Sequence, residues 1–125
     1  MSERRIIRKA STQDVVLARA KWCASPLCRF MGLQFVFNLP EDAGLLFVNA
    51  SDSKANSAIH MLFMFMQIGV IWVNSDRVVV DKKLAKPWRL AYVPAASAKY
   101  FIEARPSILE RVDIGDTLNF DEVAP

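Results

Sequence analysis

"SAIHMLFMFMQIGVIWV", residues Ser57–Val73, is an apolar stretch whose interpretation decides the fold of this 125-residue chain. With its neighbours it makes Ala55–Ser75 free of formal charge. Its second half, "IGVIWV", is rich in β-branched and aromatic residues, and a polar turn "NSDR" and a second β-branched run "VVV" follow it. This pattern predicts a β-hairpin made of Val70–Val73, Asn74–Arg77 and Val78–Val80.

The same stretch does not fit a transmembrane helix, which needs about 20 mostly apolar residues. Its apolar run, Ala58–Val73, is shorter, contains a histidine, a glutamine and a glycine, and has no basic cluster on one side. The first half contains good helix formers, so a helix there is an alternative. A strand that is apolar on both faces must be buried on both. We therefore expect two core strands, about Ala58–Met66 and Ile68–Val73, with a kink near Gln67–Gly69.

Capping and turn residues divide the rest of the chain into short elements. In "SPLCRFMGL", Ser25 suits an N-cap, Pro26 suits the first helical position and Gly32 suits the end, so a short helix is predicted. Many short strands separated by proline, glycine and aspartate indicate a mainly β fold. We expect a single small β-sandwich or barrel of the jelly-roll kind with one or two short helices. The other predicted elements are a first strand in "DVVLARAKWC", a strand after a turn at Glu41–Gly44, two short strands split by Pro94, a helical turn from Ser107, a tight turn at Ile114–Asp116 and a closing strand.

Length and composition indicate one globular domain, with 53% hydrophobic and 23% charged residues and a net charge of +3. We expect an N-terminal extension or edge strand in residues 1–14, a β domain over 15–121 and a tail in 122–125. The basic residues are scattered, which does not favour a nucleic-acid partner. The start lacks the apolar region of a secretory signal, so a cytoplasmic protein is expected.

Residues that often mark chemical sites are scarce in this sequence. Cys23 and Cys28 are the only cysteines, and their spacing suits neither a CxxC pair nor a zinc site, so we expect unbridged thiols. The only histidine, His60, lies between apolar neighbours. We expect it to be a mostly buried structural residue, and we expect neither a metal nor a cofactor.

The residues best suited to binding lie in "KPWR", residues 86–89. An arginine beside a tryptophan on a loop can bind an anion or a sugar by charge and stacking. The alternative is that the tryptophan packs over the sheet edge and the arginine is solvated or salt-bridged. The predicted ligand-binding residues are Trp88, Arg89, His60 and Tyr92.

"IH-M-x-F-M", "VIWVN", "VVVDKKLAKPWR", "KYFIEA" and "IGDTL" follow one another over about residues 15–121. This ordered set resembles the uncharacterised bacterial and archaeal family called domain of unknown function 192. The resemblance implies a compact, mainly β domain of jelly-roll or barrel type. It implies no established activity, cofactor or catalytic residue. Many members of that family carry an export signal or a lipid anchor. We expect either that this protein stays in the cytoplasm or that its leader has been removed from the sequence.

One block departs from the pattern of the family it resembles. Where relatives typically read Met-Arg-Phe-Pro-Ile-Asp, this chain reads "MFMQIG", residues 64–69. If the family's arginine and aspartate form a partly buried ion pair, Phe65 and Gly69 replace it as a unit, which is often neutral or stabilising. If the two charges form a ligand site, this chain has lost that site.

Three functions follow from these observations, in order of preference. The first is a non-catalytic module that binds a small ligand or a protein partner. The second is an accessory component of a cell-envelope, pilus or secretion assembly, which the exported relatives suggest. The third is an enzyme that uses His60 or Glu103, although no local motif joins either residue to a nucleophile or an acid–base partner.

Overall fold

The computed structural model describes residues 3–34 and 36–123. Residues 1–2 of the expected extension and 124–125 of the expected tail lie outside the described residues. The elements are β1 (Arg4–Lys9), β2 (Val15–Cys23), α1 (Pro26–Met31), β3 (Ala43–Ser53), β4 (Ile68–Val73), β5 (Val79–Ala85), β6 (Ala98–Ala104), a 3-10 helix (Pro106–Glu110) and β7 (Leu118–Glu122).

All seven of these strands form one sheet, curled into a half-barrel, in the order β5-β4-β6-β3-β2-β1-β7. The β2–β3 pair is parallel and the other pairs are antiparallel. The predicted mainly β class with short helices is confirmed. The single sheet does not confirm the jelly-roll topology, which is built from two sheets. Strand β1 is paired on both sides, with β2 and β7, so the expected edge strand is an inner strand. No helix in the described ranges has the length and hydrophobicity that spanning a bilayer requires.

Strand β4 explains why the apolar stretch decides the fold. All of its residues are buried. Val70 and Trp72 join the core on one face of the sheet, whereas Ile71 and Val73 join the core on the other face. The predicted hairpin is confirmed, because β4 pairs with β5 across a turn in which the Asn74 side chain accepts two backbone hydrogen bonds.

Three segments cover the face of the sheet that carries Trp72. The first is α1 with the loop that leads from it to β3, the second is residues 54–67, and the third is residues 86–97. Together we call these three segments the cap. The cap contributes Leu33, Met61 and Met64 to the buried cluster on that face. The opposite face packs against the 3-10 helix, which contributes Ile108.

The predicted strand Ala58–Met66 is wrong. Only Ile59 forms a strand-like bridge, and its partner is Tyr92. That bridge is also all that exists of the strand predicted before Pro94. The chain turns at Phe63, where φ is 60°, a value that no extended strand accommodates. The segment is apolar because it packs down on the sheet as part of the cap.

Helix α1 forms as predicted, but the predicted state of the cysteines is wrong. The Ser25 hydroxyl accepts a hydrogen bond from the Cys28 backbone N–H at 3.2 Å, and Gly32 ends the helix with a φ of 49°. The turn from β2 into α1 brings the Cα atoms of Cys23 and Cys28 to 5.5 Å, within the range for a disulfide, and the two cysteines are bonded. The disulfide therefore ties the cap to the sheet.

Gly44 of β3 lies where two strands approach closely. A Cβ atom there would lie 3.0 Å from the Ala104 Cβ and from the Leu17 side chain, and would clash with the backbone carbonyl oxygen of Glu103. Because backbone cannot move aside easily, we expect Gly44→Ala to lower the free energy of unfolding by about 3 kcal/mol. Urea unfolding measures the loss. The exposed Ala50→Ser variant of the same strand should change it by less than about 0.5 kcal/mol. Equal stability of Gly44→Ala and the wild type would contradict the close approach.

Candidate functional site

A short backbone pairing within the cap brings the predicted ligand-binding residues together. Residues 59–61 and residues 88–92 are joined by four backbone hydrogen bonds of 2.7–3.0 Å. Two segments that are distant in sequence therefore form one local unit. The unit carries all four predicted ligand-binding residues: His60, Trp88, Arg89 and Tyr92.

Trp88 belongs to an exposed cluster of four aromatic residues, which we call the aromatic patch: Phe37, Phe63, Phe65 and Trp88. The ring centroids of Phe37 and Phe65 are 4.8 Å apart. Those of Trp88 lie 5.3 Å from Phe63 and 5.7 Å from Phe65. Each residue of the patch is 45–68% exposed. The patch is thus a continuous apolar surface contributed by all three segments of the cap.

Two residues of the aromatic patch have an uncommon backbone conformation. The φ angles are 60° at Phe63 and 65° at Trp88, in the left-handed region that bulky side chains rarely adopt. The Trp88 backbone N–H donates to the Met61 carbonyl at 2.7 Å, which helps to hold this conformation. Strained backbone of this kind concentrates at functional sites and typically costs about 1–3 kcal/mol per residue. The conformation presents both rings on the surface rather than in the core.

The charges near the aromatic patch are basic. Lys86 and Arg89 are exposed on the segment that carries Trp88, and residues 86–97 contain no acidic residue. Lys83 of β5 reaches the same segment, where its ammonium group donates to the Val93 carbonyl at 2.6 Å. It also pairs with Asp81 at 3.6 Å, so among the described residues beside the patch the unpaired positive charges are those of Lys86 and Arg89. The patch is therefore an apolar surface with a positive rim.

A second feature of the cap is a cavity of about 80 Å³ that reaches the sheet beneath it. Glu103 of β6 lies at this cavity and is only 7% exposed. Among the described residues its carboxyl group has neither a hydrogen-bond nor an ion-pair partner. Burial raises the pKa of Glu103 to about 8. Its carboxyl group is therefore mostly protonated at neutral pH.

His60 lines the same cavity, and the prediction that it is mostly buried is wrong. Its neighbours Ile59 and Met61 are buried, whereas the extended backbone directs the residue between them outward. The Nδ1 atom accepts a hydrogen bond from the Leu62 backbone N–H at 3.3 Å, so in the neutral ring the proton is on Nε2. The structure thus places together the two residues named for an enzyme, His60 and Glu103.

Arg29 of α1 also lines the cavity, and sequence reasoning missed it. Its guanidinium donates to the Asn49 side-chain oxygen at 2.6 Å, and the Asn49 amide donates to the Ser57 hydroxyl at 2.8 Å. The Ser57 hydroxyl donates to the Ala98 carbonyl at 2.7 Å. This buried chain of hydrogen bonds fixes the helix to the sheet. The residues lie far apart in sequence, so no local pattern points to them.

Residues 6–120 match the model of the family DUF192, described as an uncharacterised ACR. The chain belongs to the DUF192 family. The match begins at residue 6, within β1.

The DUF192 chain is similar to archaeal proteins of the same family. It is 42% identical over 96 residues to a UPF0127 protein of Thermococcus kodakarensis, covering 75% of this chain and 59% of that protein. It is 40% identical over 97 residues to a UPF0127 protein of Pyrococcus furiosus, covering 76% and 80% respectively. The chain thus spans about 60% of the length of the Thermococcus relatives it matches.

Two crystal structures share the fold of this DUF192 chain. A protein of Sinorhizobium meliloti, named as a candidate transcription regulator, has a TM-score of 0.81 and 20% identity, with 96% of this chain and 94% of that chain covered. A protein of unknown function from Novosphingobium aromaticivorans has a TM-score of 0.77 and 18% identity, with 93% and 83% covered. At these identities the likeness shows the fold alone.

Phe65 and Gly69, the positions expected to replace a family ion pair, lie in different parts of the fold. Phe65 is in the exposed aromatic patch. Gly69 is buried in β4 against the 3-10 helix, where a Cβ atom would lie 2.7 Å from the Ile108 side chain and 3.0 Å from that of Leu109. The replacement of an ion pair as a unit stays a prediction. Phe65 contributes apolar surface to the patch.

Proposed function

We propose that this protein is a non-catalytic binding module whose aromatic patch holds an acidic, apolar segment of a protein partner. The observation that carries the proposal is the exposed cluster of Phe37, Phe63, Phe65 and Trp88, with left-handed backbone at two of its members. Contiguous exposed apolar patches with a polar rim mark interaction sites, and aromatic residues and arginine are enriched there. The proposal includes Trp88 and Arg89 among the contact residues.

The arrangement of the rings favours a protein partner over a sugar or a nucleic acid. The ring planes of Trp88 make angles of 63° with Phe63 and 89° with Phe65. Recognition of bases by stacking uses open ring faces along a groove, and stacking of sugars makes the same demand. These edge-to-face contacts, together with the stacked pair Phe37 and Phe65, form an uneven apolar surface, which suits the interdigitating side chains of a protein interface.

The charge of the rim selects an acidic partner. Lys86 and Arg89 are exposed beside the patch, and no acidic residue of their segment neutralises them. A second copy of this chain fits less well, because a two-fold contact between identical patches would bring the two basic rims together. Opposite charge at the rim would speed association and fix the register of the bound segment.

The test is a titration of the full chain with a short synthetic peptide that alternates glutamate with leucine and phenylalanine. Nuclear magnetic resonance spectra report the binding, since the indole N–H of Trp88 is a resonance of the patch itself. We expect saturable shifts at Trp88 and Leu90, and binding at least about tenfold weaker for the same peptide with lysine in place of glutamate. Trp88→Ala should weaken binding of the acidic peptide by about tenfold or more.

Two control variants match the test variants. Ile114→Ala removes an apolar side chain that is 60% exposed outside the cap, and it should leave binding unchanged. Arg89→Glu should weaken binding, whereas Lys21→Glu, at an exposed position of β2, should not. Equal affinity for the lysine peptide, or shifts confined to residues outside the cap, would overturn the proposal. Binding of an acidic oligosaccharide or of anionic phospholipid vesicles in place of the peptide would overturn it as well.

A further inference from the structure

The cavity at Glu103 is separate from the aromatic patch, because none of its described lining residues belongs to the patch. Its volume of about 80 Å³ has room for several water-sized groups, and therefore for a ligand of a few non-hydrogen atoms. Its apolar walls include Met64 and the rings of Phe47 and Phe101, which stack at 4.5 Å. The space is thus small and lined by polar and apolar surface in similar amounts.

The Glu103 carboxyl group lines this cavity without a hydrogen-bond partner among the described residues. Glu103 is 93% buried, and no described residue forms a hydrogen bond or ion pair with its carboxyl. A buried polar group without a hydrogen bond is costly, and such groups are paired in nearly all folded proteins. The group lines open space rather than packed side chains. A partner for it would therefore come from outside the chain, as water or as a polar group of a ligand.

The other polar side chains at the cavity are Arg29, His60 and Gln34; each can donate a hydrogen bond, and the Gln34 amide can also accept one. Arg29 uses one guanidinium nitrogen on Asn49 and has further N–H groups, since a guanidinium carries five. His60 accepts at Nδ1, which leaves an Nε2–H donor. Arg29, His60 and Glu103 are the charged or titratable groups that line the space, and β3 contributes the apolar Phe47. A protonated Glu103 adds an O–H donor to this set.

We infer that the cavity lined by Glu103, Arg29 and His60 is a binding site for a small carboxylate. The two oxygens of the ligand would accept hydrogen bonds from Glu103 and from the two basic side chains. Its short apolar part would pack against Phe47 and Phe101. The carboxylate would belong either to a free short-chain acid or to the C-terminus of a peptide. The site does not depend on the aromatic patch, and either proposal can fail without the other.

The state of Glu103 gives the site a defined pH dependence. A carboxylate ligand binds beside the protonated acid and is repelled by the ionised one, so affinity falls as pH rises past the pKa of about 8. Between about pH 6 and about pH 9 we expect the dissociation constant to increase by about tenfold, following the protonated fraction. Glu103→Gln keeps a neutral donor of similar shape. It should bind the carboxylate and lose the pH dependence that Glu103 causes.

The experiment titrates the full chain separately with sodium acetate, sodium butyrate, an N-acetylated dipeptide with a free C-terminus, the same dipeptide as its C-terminal amide, and propylammonium chloride. Nuclear magnetic resonance shifts of His60 and of the Glu103 backbone locate the binding. We expect shifts with acetate and butyrate or with the free dipeptide. Stronger binding of the two salts would identify a free short-chain acid as the ligand, and stronger binding of the free dipeptide would identify a peptide C-terminus. The dipeptide amide and the ammonium salt should cause no shifts at these residues.

Variants separate the site from a general effect on folding. Glu103→Leu and Arg29→Met should each weaken carboxylate binding by about tenfold or more, whereas Arg19→Met, at an arginine that pairs with Asp42 on the exposed side of β2, should not. Thermal unfolding shows whether each variant is folded. If Glu103→Leu does not fold, Glu103→Gln provides the test through its loss of the pH dependence of binding. Binding of propylammonium in place of carboxylates would overturn the inference. Carboxylate binding that survives in Glu103→Leu, or no binding of any carboxylate at millimolar concentration, would also overturn it.

Discussion

Replacing Trp72 by alanine is expected to lower the free energy of unfolding by about 4 kcal/mol. Trp72 is fully buried under the cap, and its indole N–H donates a hydrogen bond of 2.6 Å to the Ser57 carbonyl. The substitution leaves a large space between the sheet and the cap, and it also leaves a buried carbonyl without its donor. Urea unfolding followed by far-ultraviolet circular dichroism measures the loss.

Two further substitutions show where that loss comes from. Trp72→Phe keeps much of the apolar volume but removes the donor to Ser57, so we expect a smaller loss of about 2 kcal/mol. Trp88→Ala removes the same type of side chain from a residue that is 49% exposed, and we expect a loss below about 1 kcal/mol. Similar losses at Trp72 and Trp88 would contradict the division between core and surface described here.

The hairpin and the helix were predictable because their determinants are local. Strand β4 has β-branched and aromatic residues on both faces, which only a two-sided core accommodates. Helix α1 has its cap residue, its proline and its terminating glycine within a few positions of one another. Such signals act over one turn or one strand, and a sequence displays them directly.

The segment Ala58–Met66 was not predictable in the same way. An apolar run indicates burial, but burial is reached equally by a strand within a sheet and by a loop that packs on it. The pairing with residues 88–92 is decided by contacts across the cap. The exposure of His60 follows from that pairing. For the same reason, spacing in the sequence did not reveal that the turn into α1 brings Cys23 and Cys28 together.

The candidate sites were predicted only in part. Trp88 and Arg89 are adjacent in sequence, so their potential as a contact pair is visible there. Phe37 comes from another segment of the chain, and only the folded cap brings it to the patch. Glu103 had a weaker signal, since it lies two residues after Phe101 in an apolar strand and must share its face. A carboxylate on the buried face of a strand is a pattern worth following in related sequences.

Raising the pH from about 5 to about 9 is expected to destabilise the wild-type protein through Glu103. Burial raises the pKa of this group in the folded protein to about 8, from an ordinary value of 4.5. Between these two values the folded state holds a proton that the unfolded state has released, so the free energy of unfolding falls as pH rises. The contribution is fully present below about pH 4.5 and lost above about pH 8. At about 1.4 kcal/mol per pKa unit, its upper limit is roughly 5 kcal/mol.

Urea unfolding at a series of pH values, for the wild type and for Glu103→Gln, measures this contribution. The variant has no proton to lose at this position, so it should lack this slope and exceed the wild type in stability at about pH 9. Glu110→Gln, at an exposed position, should keep the slope. Glu41 and Asp42 titrate below this window, because hydrogen bonds from Ser107 and Arg19 lower the pKa values of these two carboxyl groups. A wild-type stability that is constant across the window would mean that water or a bound group already stabilises the ionised carboxylate. The protonated donor on which carboxylate binding depends would then be absent.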